Sequence, residues 1–206
     1  MSEAAAEGAA GLDPVPGPFA IRAVAVIGAG RVGREFALVC AAAGFDVTLE
    51  DVMPANLRRA QEEYAELAPQ AGGLRVALTG EDAVRTADVV VDFVPDELES
   101  KLEIFCLVDR MAPPKTVLLT PSDALSITDL ASCTYRGERC FAVRGGLALR
   151  TDDRALRLVY PKSAEAVALR AVSEFLRVLG REPRVEEDRD APMLVKNVSG
   201  PQTMRG

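Results

Sequence analysis

The segment Gly28-Ala29-Gly30-Arg31-Val32-Gly33 constrains this chain more than any other feature. It follows the apolar run Ile21 to Ile27, which reads as a buried strand. It opens a stretch in which Val32, Phe36, Val39 and Cys40 recur at helical spacing until Gly44 stops the helix. A Gly-x-Gly-x-x-Gly turn between strand and helix meets three steric demands. Gly28 permits the tight turn, Gly30 lets backbone N–H groups approach a pyrophosphate, and Gly33 lets helix and sheet pack closely. Arg31, Val32 and Gly33 then form the helix N-terminus, whose partial positive charge favours a phosphate. The next strand, Val47 to Leu49, runs into Glu50 and Asp51. Asp51 lies eighteen residues past Gly33 and nearer the strand tip than Glu50, the alternative acid. An acid there accepts hydrogen bonds from an adenosine ribose and repels a 2′-phosphate, so the cofactor expected is NAD rather than NADP.

The same alternation continues. Leu57, Ala60, Tyr64 and Leu67 mark a second helix, and Leu74 to Leu78 and Val89 to Phe93 two more strands. Leu98, Leu102 and Phe105 begin a longer helix that must end before Pro113-Pro114. Val117 to Leu119 is the next strand, and Ser126 with Asp129 is a helix-start signature. Cys140 to Val143 and Leu156 to Tyr160 read as strands, Val167 to Leu179 as an amphipathic helix stopped by Gly180, and Arg184 to Glu186 as a weak final strand. Strands alternating with helices predict an α/β fold with a doubly wound, mostly parallel sheet of Rossmann type. The expected organisation is a tail over 1–19, a nucleotide-binding domain over 20–197 and a second tail over 198–206.

Histidine is missing altogether. That removes imidazole metal ligands, Ser–His and Cys–His dyads, and any mechanism whose base is an imidazole; no metal site is expected. Cys40, Cys106, Cys133 and Cys140 form no Cys-x-x-Cys pair and read as reduced, mostly buried thiols, which suits a cytoplasmic protein. A net charge of −7 argues against a nucleic-acid partner. Residues 1–19 carry no targeting pattern, and no run reaches the ~18 apolar residues of a membrane span.

Beyond these local readings, AVAVIGAGRVGREFALVCAAAGFDVTLEDV resembles the start of the 3-hydroxyacyl-CoA dehydrogenases. The resemblance continues through ADVVVDFVPDELESKLEIF, LLTPSDALSITDLA, ERCFAV and VLGREPRVEEDRDAP, covering roughly residues 21–197. It implies a Rossmann domain that binds NAD(H), with Asp96 and Lys101 near the nicotinamide ribose and Phe93 where the family carries a smaller residue that would not crowd the cofactor. Those enzymes oxidise the 3-hydroxyl of an acyl-CoA, passing hydride to NAD while a His takes the proton. At the matching place this chain has Arg144, which stays protonated near neutral pH. The resemblance puts Tyr160 at the Glu that partners the His, Asp123 at a substrate-binding Ser, and Lys196 or Asn197 at a conserved Asn. It also implies a shortened interval between Asp51 and Val89 and the absence of the family's C-terminal helical domain.

The function expected is therefore an NAD(H)-binding protein without the family's dehydrogenase activity, serving as a redox sensor or partner subunit. The alternative is an NAD-dependent oxidoreductase on a small hydroxy or oxo acid or an acyl thioester. Arg144 would then bind the acidic substrate, and Tyr160, Asp123 or Lys101 would manage the proton. A third reading is a scaffold that binds no nucleotide. Arg144 has a bland alternative too, as a loop cation paired with Asp152 or Asp153. Met193, Leu194 and Val195 suggest an apolar face for a homodimer or a helical partner.

Overall fold

The computed structural model describes residues 19–67, 72–145, 147, 155–189 and 193. The expected tails lie outside them except for Phe19, which packs against the core with its ring 5.7 Å from the Arg139 guanidinium. Lys196, Asn197, Leu194, Val195, Asp152 and Asp153 also lie outside the described residues.

Among the described residues, eight strands form one sheet: β1 (Ala23–Ile27), β2 (Asp46–Glu50), β3 (Leu74–Ala77), β4 (Val89–Asp92), β5 (Val117–Pro121), β6 (Cys140–Arg144), β7 (Ala155–Tyr160) and β8 (Glu182–Glu187). Their order is β3-β2-β1-β4-β5-β6-β7-β8. The first six run parallel; β7 is antiparallel to β6, and β8 follows the direction of β7. The strand order reverses between β1 and β4, and in open α/β sheets ligands bind at such a switch point, beyond the carboxyl ends of the strands.

Among the described residues, six α-helices connect the strands: α1 (Arg31–Ala42), α2 (Pro54–Ala65), α3 (Gly80–Val84), α4 (Leu98–Met111), α5 (Ile127–Ser132) and α6 (Ala166–Val178). The short helix α3 has no counterpart in the sequence reading. It is started by Thr79, whose hydroxyl accepts from the Asp82 amide at 3.1 Å. At α5 the expected signature is realised, with Ser126 Oγ accepting from the Asp129 amide at 3.2 Å. Alternate residues of each central strand feed two cores. Val24, Val26, Leu49, Val91 and Leu119 meet Phe36, Cys40 and Phe175 of α1 and α6 on one face. Ala25, Ile27, Val90 and Leu118 meet Phe105, Val108 and Leu130 of α4 and α5 on the other. A continuous β-branched strand such as Val89–Asp92 is what burial on both faces requires.

The cysteines divide unevenly. Cys40 and Cys140 are buried, Cys133 is half-buried and Cys106 is exposed, so only two of the four fit the buried reading. Burial pushes the Cys140 thiol up to about 12 and raises Cys40 as well. Among the described residues, no helix is long and apolar enough to cross a membrane.

Candidate functional site

The glycine turn sits at the carboxyl end of β1. Gly28 has φ +94°, a conformation open to glycine, and its amide donates to the Glu50 carbonyl at 2.9 Å. Helix α1 begins directly after Gly30, with no side chain capping its first amides. A Cβ on Gly30 would meet nothing within 4 Å, whereas one on Gly33 would lie 2.0 Å from the Gly28 carbonyl oxygen. Gly33 therefore serves the packing of helix on strand, and the space over Gly30 is open. Uncapped amides beneath an open Gly30 are what a pyrophosphate needs, and the dinucleotide fits the residues present.

Asp51 stands one residue beyond β2. Its Oδ2 accepts from the Ala29 amide at 2.6 Å and from Asn56 Nδ2 at 3.2 Å, and Oδ1 accepts from the Met53 amide at 2.7 Å. Those bonds hold the carboxylate at the strand tip beside the glycine turn. Two supporting residues escaped the sequence reading: Asn56, and the buried Arg34. Arg34 Nε donates to Glu63 Oε1 of α2 at 3.0 Å, and its Nη1 reaches the Ala29 carbonyl at 3.4 Å. Arg31, by contrast, points outward and pairs with Glu35 at 3.6 Å. Val32 is half-buried.

Glu50 has a different environment from Asp51. Its side chain is buried in β2, and that burial, followed by the charge of Asp51, raises its carboxyl above the usual range. A raised acid binds its proton more tightly folded than unfolded, so its contribution to stability falls as pH rises through the carboxylate range. Glu50→Gln should therefore raise the melting temperature at pH 7.5, with the gain shrinking towards pH 4. Paired melts at the two pH values check this, and an equal gain at both would show that ionisation of Glu50 is not what strains the site.

At the carboxyl end of β4 the ring of Phe93 lies 5.2 Å from that of Phe36, so it is packed on α1. Asp96 is exposed, and its Oδ2 accepts from the Asp123 amide at 3.1 Å. Asp123 in turn accepts from the Gly145 amide at 2.9 Å, which ties the loop after β5 to the end of β6. Lys101 is not the exposed helix-start charge its neighbours suggest. It is 1% exposed, its Nζ lying 2.5 Å from Asp92 Oδ1 and 3.0 Å from the Pro121 carbonyl. Burial raises the Asp92 carboxyl, opposed by the charge and hydrogen bond of Lys101.

Arg144 ends β6 at this same rim, and its Nη2 lies 3.5 Å from the Leu125 carbonyl. The strand pairing corrects the partner assigned to it. Arg144 stands opposite Arg157 on β7, while Tyr160 is three residues further along β7. Three residues span ~10 Å and reverse the face on which a side chain emerges. Because β7 is antiparallel, that step carries Tyr160 towards the opposite end of the sheet, so Tyr160 and Arg144 do not share a site. Arg157 was missed by the sequence reading because the intervening loop leaves spacing free to slip.

The family profile described as "3-hydroxyacyl-CoA dehydrogenase, NAD binding domain" matches residues 23–144. The chain is 31% identical to a probable 3-hydroxybutyryl-CoA dehydrogenase of Bacillus subtilis over 134 residues, 58% of this chain and 46% of that protein. It is 29% identical to the 3-hydroxybutyryl-CoA dehydrogenase of Bradyrhizobium diazoefficiens over 182 residues, 82% of this chain and 62% of the relative. The chain thus spans about half to three fifths of the length of these relatives. A solved diketoreductase superposes with TM-score 0.72 at 26% identity, over 84% of this chain and 66% of that one. A 3-hydroxyacyl-CoA dehydrogenase from Archaeoglobus fulgidus superposes with TM-score 0.67 at 24% identity, over 82% of this chain and 57% of that one. With a profile that spans more than half its length, the chain belongs to the 3-hydroxyacyl-CoA dehydrogenase family as an NAD-binding domain, and NAD is its cofactor.

Proposed function

We propose that this domain binds NAD(H) without carrying out the dehydrogenation its relatives are named for, and that it acts as a redox sensor or as the nucleotide-binding partner of another protein. The observation that carries the reading is the pairing of Arg144 with Arg157 across β6 and β7. In the resemblance, the residue at Arg144 is the base that takes the hydroxyl proton. A guanidinium does not release its proton near neutral pH, and a second guanidinium beside it disfavours gathering another positive charge. General-base catalysis is worth roughly 10²–10⁴ in rate, and the position that the resemblance gives to that base holds a cation, Arg144. Bound NAD supplies a hydride acceptor at its nicotinamide. Gly30 and the first amides of α1 hold its pyrophosphate, and Asp51 its adenosine ribose. Buried thiols at Cys40 and Cys140 suit a reducing, cytoplasmic setting.

The buried Nε of Arg144, which finds no acceptor among the described residues, favours a second reading. In it the domain is an oxidoreductase whose acidic substrate is oriented by Arg144, with Asp123 at the same rim to handle the proton. Tyr160 is too distant for that task.

Titration of the protein with NADH, followed by nicotinamide fluorescence, tests the binding. Micromolar affinity is expected. Since a Cβ at Gly30 meets no protein atom, Gly30→Ala should keep the melting temperature within about 2 °C and weaken NADH by about tenfold or more, an effect worth ~1.4 kcal/mol. Unchanged affinity in Gly30→Ala would sink the pyrophosphate assignment. Turnover is tested by NADH formation from 3-hydroxybutyryl-CoA. A rate above background that Asp123→Asn abolishes would replace the sensor reading with the enzymatic one.

A further inference from the structure

Arg144 of β6 stands opposite Arg157 of β7, and Arg157 stands opposite Arg184 of β8. Residues directly opposite on adjacent strands project from the same face with Cβ atoms roughly 4.5–5.5 Å apart, and like charges so placed repel. Three arginines in one rung across three strands is therefore an arrangement a sheet does not adopt for stability. The chain as a whole carries a net charge of −7, so the rung does not follow from a generally basic surface.

The neutralisation available locally is incomplete. Arg157 meets Glu186 at 3.7 Å, with both side chains about half exposed. Among the described residues, no acid lies within ion-pair distance of Arg184 or Arg144. Arg144 Nε is buried and has no acceptor among those residues, and its Nη2 reaches only the Leu125 carbonyl at 3.5 Å. A buried charged donor without an acceptor is a costly arrangement unless something outside the described chain completes it.

The rung opens onto a cavity of about 890 Å³. Among the described residues, Arg144, Arg157, Arg177 and Arg184 line it against one acid, Glu182. That volume is within the roughly 300–1,000 Å³ of small-molecule sites. The cavity is remote from the glycine turn, since β7 is four strands from β1, or ~19 Å at the usual strand spacing. It lies at the rim formed by the carboxyl end of β6 and the start of β7, where the Asp123 carboxylate fixes the Gly145 amide just beyond Arg144.

We infer that the Arg144–Arg157–Arg184 rung is an anion-binding site, separate from the pyrophosphate loop, that takes the carboxylate or phosphate group of a small ligand. The guanidinium fork matches the paired oxygens of either group bidentately, which a lysine could not reproduce. An anion shared by the three guanidiniums turns the repulsion along the rung into attraction. The inference does not depend on dinucleotide binding.

Isothermal titration of the full chain with inorganic phosphate and, separately, with succinate tests it, alongside the Arg157→Gln/Arg184→Gln double variant and an Arg85→Gln control. The wild type should bind at least one anion in the millimolar range or tighter, with affinity falling as sodium chloride is raised. Whichever probe binds identifies the source of the oxyanion. The double variant should weaken that binding by about tenfold or more, while Arg85→Gln leaves it within about twofold and NADH affinity is unchanged in both. Both changed arginines are exposed, so the double variant should melt near the wild type. Equal anion affinity in wild type and double variant would overturn the inference. So would anion binding that emerges only in an Asp152→Asn/Asp153→Asn variant, because the chain's own acids would then be the occupants. Loss of NADH binding with anion binding intact would sink the proposed function alone.

Discussion

Replacing Lys101 by methionine should lower the stability of the domain by about 3–5 kcal/mol, the cost of leaving one member of a buried ion pair alone. Lys101 is 1% exposed and Asp92 fully buried, and Nζ is committed to Asp92 Oδ1 and the Pro121 carbonyl. Methionine fills the volume of the lysine stem, so lost packing adds little. What remains is a carboxylate in the core with no cation. Against the ~5–15 kcal/mol by which single domains are stable, this is a severe loss, equivalent to roughly 6–20 °C in melting temperature. The pH dependence has a definite sign. Burial already raises the Asp92 carboxyl, and removing Lys101 removes the largest influence that opposes that rise. An acid whose folded value lies above its unfolded one contributes stability at low pH and loses it as pH rises between the two. The variant should therefore suffer less at pH 4.5 than at pH 8. A companion Lys101→Met/Asp92→Leu protein should recover most of the loss, since apolar replacement of a whole buried pair is often neutral or better. A single variant that melts with the wild type at pH 8 would contradict the ion pair as a structural strut between β4, β5 and α4.

That strut shows where the sequence was legible and where it was not. The glycine turn, Asp51 and the alternation of strands with helices are local patterns, and each is found where spacing put it. The burial of Lys101, which the resemblance puts near the nicotinamide ribose, is hidden locally because the surrounding Glu99, Ser100 and Glu103 make the start of α4 look solvated. Its place in the helix held the answer, since Lys101, Phe105 and Val108 form the buried stripe at spacings of four and three. An acid ending an otherwise β-branched strand, Asp92, was the matching cue. The direction of β7 was also recoverable. No helical pattern separates Cys140–Val143 from Leu156–Tyr160, and a parallel return usually passes through a helix. Without that direction, nothing in the sequence distinguishes Arg157 from Tyr160 as the residue facing Arg144. Non-local pairing decides it, and the freedom of the loop hides it from spacing. For the same reason the three-arginine rung, whose members lie far apart in the chain, was invisible before the sheet was assembled.

The second large effect is expected at Gly33. A Cβ there would sit 2.0 Å from the Gly28 carbonyl oxygen, 3.2 Å from its carbon and 3.1 Å from Phe93 Cβ. Two of these neighbours are backbone and cannot swing aside. Gly28 is itself fixed by its φ of +94° and by its hydrogen bond to the Glu50 carbonyl, and Phe93 by the hydrogen bond its amide donates to the Ile27 carbonyl at 2.7 Å. Relief requires α1 to move away from β1 by more than an ångström, carrying the Arg31 and Val32 amides with it and loosening Phe36 from Phe93. Overpacking of this kind typically costs about 1–3 kcal/mol, and more when backbone must move. Gly33→Ala should therefore reduce both melting temperature and NADH affinity, the latter by about a hundredfold or more if two phosphate-facing amides are displaced at ~1.5 kcal/mol each. Gly30→Ala, three residues earlier, should weaken NADH while leaving the melt alone. The contrast separates a glycine kept for the ligand from a glycine kept for the fold. If Gly33→Ala retained both its melting temperature and its affinity, α1 would have to sit further from β1 in solution, and the uncapped amides over Gly30 would no longer account for dinucleotide binding.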